Sequence, residues 1–282
     1  MIETTLFAKT MIILCSQLSI VFGLTFYILK KSKEAYFNNT TFLGMSFRGA
    51  MNLKKEFDLI PYIEDSRGFP KHMHLVNATK DDIPVMALNE ESKVKWQKLG
   101  YVVSPPANKF LNAVFVSWAI LLFSIALVGY FSLSAGIIVF TMQSILMGLL
   151  LGFLFLEMDE NDGIRALKIT LLATLFSGFI GYSDIGTAIY NSGLVQNILF
   201  FGLLALIVFE FSRTTFKFSR NTIRVKAFFG IGLFILFLFY DFARLNELSG
   251  YSNKWDTAFQ IALSLYLDII NLLLEILEAM DW

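Results

Sequence analysis

Asp241 and Asp268 stand in apolar surroundings, the first closing "FILFLFYD" (234–241) and the second inside "ALSLYLDIINLLLEIL" (262–277). A lipid-facing helix carries no carboxylate at such a depth, because an ionised group in hydrocarbon is costly. Arg244 follows Asp241 by three residues, the spacing of a contact on one helical face. If the two aspartates approach each other they must share a proton, since two carboxylates a few ångströms apart cannot both ionise cheaply where water is scarce. A carboxyl donating to a carboxylate closes such a contact. Two carboxylates repel each other, which can open a path or admit a cation. Calcium, a hard cation, suits carboxylate and carbonyl oxygens.

Other chemistries find little support. A catalytic aspartate pair of the intramembrane protease type sits in a G-x-G-D context, which is missing around both residues, and no Ser/His or metal-ligand set offers another route, so no catalytic residue is assigned. His72 and His74 are the only histidines and no cysteine lies near them, so no metal site is assigned either. The lone Cys15 allows no disulfide within one chain. No cofactor is expected; calcium enters only as a permeant ion.

The segment around Asp268 has a pattern of its own. Placed on a helix, Gln260, Ser264, Asp268, Asn271, Glu275 and Glu278 fall within a sector of about 80°, and the rest of the surface is apolar. A helix lying flat on a membrane would favour Lys and Arg on its polar face, and this stripe has none. The stripe is expected to face a protein interior or an aqueous cavity, with Asn271 and Glu275 supporting the aspartates.

The elements that position these residues are membrane helices. The 282 residues are 56% hydrophobic, with 30 Phe and a mean hydropathy of +0.62, more apolar surface than one globular core of this size needs to bury. Basic and acidic residues balance at 23 each, which excludes a nucleic-acid partner on charge. Residues 1–29 read as a retained N-terminal transmembrane helix. Residues 30–109 hold all five prolines, both histidines and 13 of the 23 basic residues, an extramembrane insert in which "FDLIPYIED" and "WQKLGYVVSPP" are candidate short strands. Residues 110–282 supply six further spans: about 110–132 and 137–156, separated at "SLSAG", then 164–183, one within 185–209, 225–244 and 257–279. In the third span Ser144, Gly148 and Gly152 recur every four residues, a small-residue face on which another helix can pack closely.

"YDFARL" followed by "ALSLYLDIINLLLEIL" resembles the C-terminal signature of the transmembrane Bax inhibitor motif (lifeguard) family. "VFTMQSILMGLLLGFLF" is similar to the family's third span, "RALKITLLATLFSGFIGY" to its fourth and, more loosely, "LFAKTMIILCSQLSI" to its first. The resemblance implies an all-α polytopic fold, seven transmembrane helices with six surrounding a central C-terminal helix, and a pH-sensitive calcium leak. By motif position it implies that Asp241 and Asp268 form the pH sensor and that Arg244 is the basic residue beside it. Two features depart from the family pattern: the insert after the first helix, and a second span without any charged residue to latch the sensor.

The expected function is therefore a pH-gated calcium leak in a lipid bilayer; the alternative is a non-conducting accessory membrane subunit that binds protein partners through residues 30–109. Counting Lys and Arg on the two sides of seven spans gives 3 against 20, which puts the insert in the cytoplasm, whereas the resemblance puts the N-terminus there. Orientation stays open at this level, as does the choice between a bacterial inner membrane and an organellar one, endoplasmic reticulum or mitochondrial inner.

Overall fold

The computed structural model describes residues 4–38, 40–51, 57–62, 109–157, 160–216 and 218–280. Among them the elements are α1 (Leu6–Phe37), β1 (Ser46–Met51), β2 (Phe57–Tyr62), α2 (Lys109–Phe131), α3 (Leu133–Glu157), α4 (Glu160–Gly181), α5 (Asp184–Tyr190), α6 (Gly193–Thr215), α7 (Arg220–Ser249) and α8 (Trp255–Met280). Six of the helices, α1, α3, α4, α6, α7 and α8, are long and apolar enough to cross a membrane; α2 carries a shorter apolar stretch, Ala113–Gly129. The chain is a multi-pass membrane protein whose membrane part is helical.

Several boundaries differ from the sequence reading, each for a local reason. The apolar run of the first span ends at Leu29, but α1 continues to Phe37 because Lys and Glu are good helix formers: charge ends the apolar stretch without ending the helix. Lys31 and Glu34 pair across one turn at 2.7 Å on this extension. The uncharged stretch 185–209, expected to contain one span, holds most of the short α5 and the larger part of α6, parted at Asn191 and Ser192, where the Ser192 hydroxyl accepts from the Val195 amide and caps α6. Likewise Ser219 caps α7 by accepting from the Thr222 amide, so that helix begins at Arg220, five residues before the expected start. "FDLIPY" is indeed a strand, β2, paired antiparallel with β1 so that Phe47 faces Pro61 and Gly49 faces Leu59. Positions 47, 49, 59 and 61 share one face of this hairpin, and on it Phe47 and Leu59 are buried. The expected strand in "WQKLGYVVSPP" and the pair His72 and His74 lie outside the described residues.

The chain divides into two compact bodies. The first comprises residues up to Leu18, Gly129–Ile137 and Asp162 onward. In it α7 and α8 pack along their length, and α4 and α5 lie on the C-terminal half of α7: Phe176 meets Phe239 at 6.3 Å between ring centres, and Tyr190 meets Tyr240 at 5.2 Å. The start of α1 joins this body through Phe7, edge-on to Tyr182, and through Lys9, which donates to the Asn253 carbonyl at 2.7 Å and lies 5.4 Å from the Trp255 ring centre. The Thr170 and Thr174 hydroxyls donate back to the preceding turn, to the Ala166 and Thr170 carbonyls, which satisfies both within α4.

The second body comprises Ser19–Val128 and Ile138–Asn161. Here the small-residue face of α3 meets α1. A side-chain carbon on Gly148 would lie 2.8 Å from the Val21 carbonyl oxygen, and one on Gly152 would lie 2.7 Å from the Ile28 Cβ. Ser144 is fully buried on the same face. The Thr25 hydroxyl donates to the Val21 and Gly148 carbonyls at 2.9 and 3.3 Å, the close approach that glycine permits. Gly152→Val is expected to destabilise this contact by roughly 1–3 kcal/mol through overpacking. Gly23→Ala in the same α1, where an added carbon meets nothing within 4 Å, should be neutral or stabilising. Thermal unfolding of both variants in detergent checks the contrast: equal melting temperatures would mean that α1 and α3 do not pack through this face.

Candidate functional site

The site is built on α7 and α8, which run antiparallel: Asp241 of α7 lies opposite Asp268 of α8, and Gly230 opposite Glu275. What distinguishes α8 is burial. Within its most apolar stretch 67% of the residues are buried, against 11 to 44% for the other five spans, and the buried positions (Ala258, Ile261, Leu265, Ile269, Leu272, Ile276 among them) leave only one face, with Gln260, Ser264, Leu267, Asn271 and Glu278, less buried. Most of the surface of α8 is thus turned to protein rather than to lipid.

Asp241 and Asp268 are 3% and 7% exposed, and their carboxyl groups are in hydrogen-bonding contact. Ser264, one turn before Asp268 on α8, and the Arg244 guanidinium both act on the Asp241 carboxyl. One oxygen of each aspartate, Oδ2, is buried with no hydrogen-bond partner. The structure thus brings together the three residues singled out first in the sequence, Asp241, Arg244 and Asp268, and adds Ser264. Leaving a buried carboxylate oxygen unpaired is costly, so such a pair is expected where the contact has to be able to change.

Glu275 and Asn271 fall elsewhere on the stripe. Asn271 is half-buried between the two carboxylates of α8. Glu275 sits seven residues, about 10 Å, beyond Asp268 along the helix, and its carboxylate meets not Arg244 but the Lys226 ammonium of α7 at 3.0 Å. Lys226 is 8% exposed in its side chain and also contacts Glu278 of α8 at 2.7 Å and Glu210 of α6 at 2.5 Å. Arg213 of α6 bridges Glu278 and Glu210. Gly230 makes room for this cluster, since a side-chain carbon there would fall 2.5 Å from the Glu275 Cδ.

Sequence reasoning did not single out Lys226, Glu210 or Gly230. The available signal was a lysine and a glycine one turn apart at the start of an apolar helix, a small residue beside a charge that must be housed. Among the described residues no group of three or more His, Cys, Asp or Glu side chains is placed to hold a metal ion.

Residues 93–281 match the family model described as inhibitor of apoptosis-promoting Bax1. The chain belongs to the Bax inhibitor family. The match takes in every span from α2 to α8, and with them both aspartates, while α1 and the hairpin precede it. No curated protein matches the chain.

For this Bax inhibitor family member the Gly230 contact gives a direct check of the α7–α8 packing. Gly230→Ala forces the end of the Glu275 side chain aside, and that displacement is expected to offset the gain of up to about 1 kcal/mol that alanine brings to a helix. Gly232→Ala, two residues on with nothing within 4 Å, should stabilise by up to about 1 kcal/mol through helix propensity. Melting temperatures of the two purified variants read the difference, and a Gly230→Ala protein stabilised as much as Gly232→Ala would overturn the placement of Glu275.

Proposed function

We propose that this protein is a pH-sensitive cation leak, with calcium as a permeant ion, and that the Asp241–Asp268 contact is its gate. The observation that carries the reading is the meeting of two buried carboxyls from different helices, each with one oxygen unpartnered. With a proton between them the pair holds α7 against α8. With both ionised, two negative charges repel in a site poor in water, which loosens the contact and offers oxygens to a hard cation. Arg244 sets a positive charge beside Asp241. The reading takes α8 as the central helix of the bundle, which its burial supports. It involves transport without catalysis and without a bound cofactor.

A second reading is a non-conducting accessory membrane subunit that engages partners through residues 30–109. The hairpin β1–β2 favours it, because its buried Phe47 and Leu59 give that region folded structure outside the helices.

Calcium flux into proteoliposomes of the purified protein, measured from about pH 5 to 8, separates the two. Asp268→Asn is expected to abolish the pH dependence, Asp241→Asn to shift it, and the double variant to leave flux insensitive to pH. A folded wild-type protein without flux would favour the accessory subunit; a pH response unchanged in both single variants would sink the gate.

A further inference from the structure

The Lys226 cluster lies at the other end of the same stripe. Ser264, Asp268, Asn271, Glu275 and Glu278 run down one face of α8, so the polar face that begins at the aspartate pair ends among Glu210, Glu275 and Glu278. The ammonium of Lys226 occupies that end, within 3.0 Å of all three carboxylates. It is the chain's own cation, tethered where a cation moving along the stripe would have to pass.

Charge makes the arrangement more than a cross-link. The groups facing Lys226 are Glu210 and Arg213 from α6 and Glu275 and Glu278 from α8. With Lys226 itself they amount to two cations against three carboxylates, a net negative cluster that continues to attract positive charge while the ammonium is in place. The Glu275 Oε2 atom is buried and has no partner, on a side chain only 10% exposed. A purely structural ion pair would gain by satisfying that oxygen, and replacing such a buried pair by apolar residues is often neutral or stabilising.

We propose that Lys226 is a tethered cation plug: its ammonium, held by Glu210, Glu275 and Glu278, closes the polar stripe of α8 at the end remote from Asp241 and Asp268, and passage along the stripe requires it to leave. The plug is a second closure in series with the aspartate pair and rests on the cation-leak reading for its physiological meaning. Its occlusion of the stripe can be read separately, without flux. Because the plug is a charge and not a shape, Lys226→Arg keeps it, whereas Lys226→Met keeps most of the volume and removes the charge.

The test uses two readouts on full-length protein in proteoliposomes. Asn271→Cys, in a Cys15→Ser background that removes the exposed native thiol, places a thiol on the stripe between the two closures. A small water-soluble methanethiosulfonate reagent should label it at least several-fold faster with Lys226→Met than with Lys226 or Lys226→Arg. Calcium flux at the pH where the wild type conducts most, with the aspartate pair ionised, should rise in Lys226→Met and stay at the wild-type level in Lys226→Arg. Labelling that rises without flux in any variant upholds the plug and removes the leak. Wild-type flux with labelling and flux unchanged in Lys226→Met upholds the leak and removes the plug. If Lys226→Met does not fold, Glu275→Gln, which weakens the hold on the ammonium from the opposite helix, decides instead: labelling no faster than in its parent overturns the proposal.

Discussion

The cost of keeping ionisable groups inside an apolar helix bundle is the constraint on which the rest of this structure depends. α8 carries Asp268 and Glu275 at buried positions, 7% and 8% exposed, so neither carboxylate is solvated where it stands. Each has to be met by a group from the adjacent helix, and α7 supplies both: Asp241 opposite Asp268, and Lys226 opposite Glu275. The antiparallel course of the two helices follows from those two meetings, and Gly230 follows from the second, because the backbone of α7 must stand back for the Glu275 carboxyl. The two meetings differ in kind. Carboxyl against carboxyl needs a proton to be attractive, whereas ammonium against carboxylate is attractive as it stands.

Much of this was legible in the residues. Hydropathy located the spans because backbone groups in lipid must be satisfied within the helix, which forces long uninterrupted apolar runs. The 3.6-residue period put Ser264, Asp268, Asn271 and Glu275 on one stripe, and the structure keeps that stripe against α7. The glycine spacing in α3 announced a close helix contact, and Gly148 and Gly152 do lie against α1. What hydropathy misplaces are ends. Lys30 and Lys31 stop the apolar run but not the helix, and the uncharged stretch 185–209 does not by hydropathy say where its span begins, which Ser192 sets by capping α6.

The site was half legible. Asp241 and Asp268 stand out because each is alone among apolar residues, and a lone charge in such a setting needs a reason. Lys226 does not stand out, because it belongs to the basic run "SRTTFKFSRNTIRVK" and reads as one more lysine at a helix start. Its role depends on Glu210 and Glu275, 16 residues before it and 49 after it, and on the rotation of three helices that no local pattern encodes. For the same reason Glu275 reads as a companion of Asp268, its neighbour on the stripe, when its partner is across the gap on α7.

The short connection between α7 and α8, residues 250–254, has a consequence for how the protein is made. A charged residue near the middle of an isolated helix disfavours membrane insertion by about 3 kcal/mol, and α8 presents two acidic residues in its central and later turns while α7 presents Asp241, with Lys226 nearer its start. Joined by a tight turn, the two enter the bilayer as a helical hairpin in which each acidic side chain meets its counterpart as it leaves water. The unit of insertion is then the pair, and the contacts that hold the mature site are also what admit its helices to the membrane.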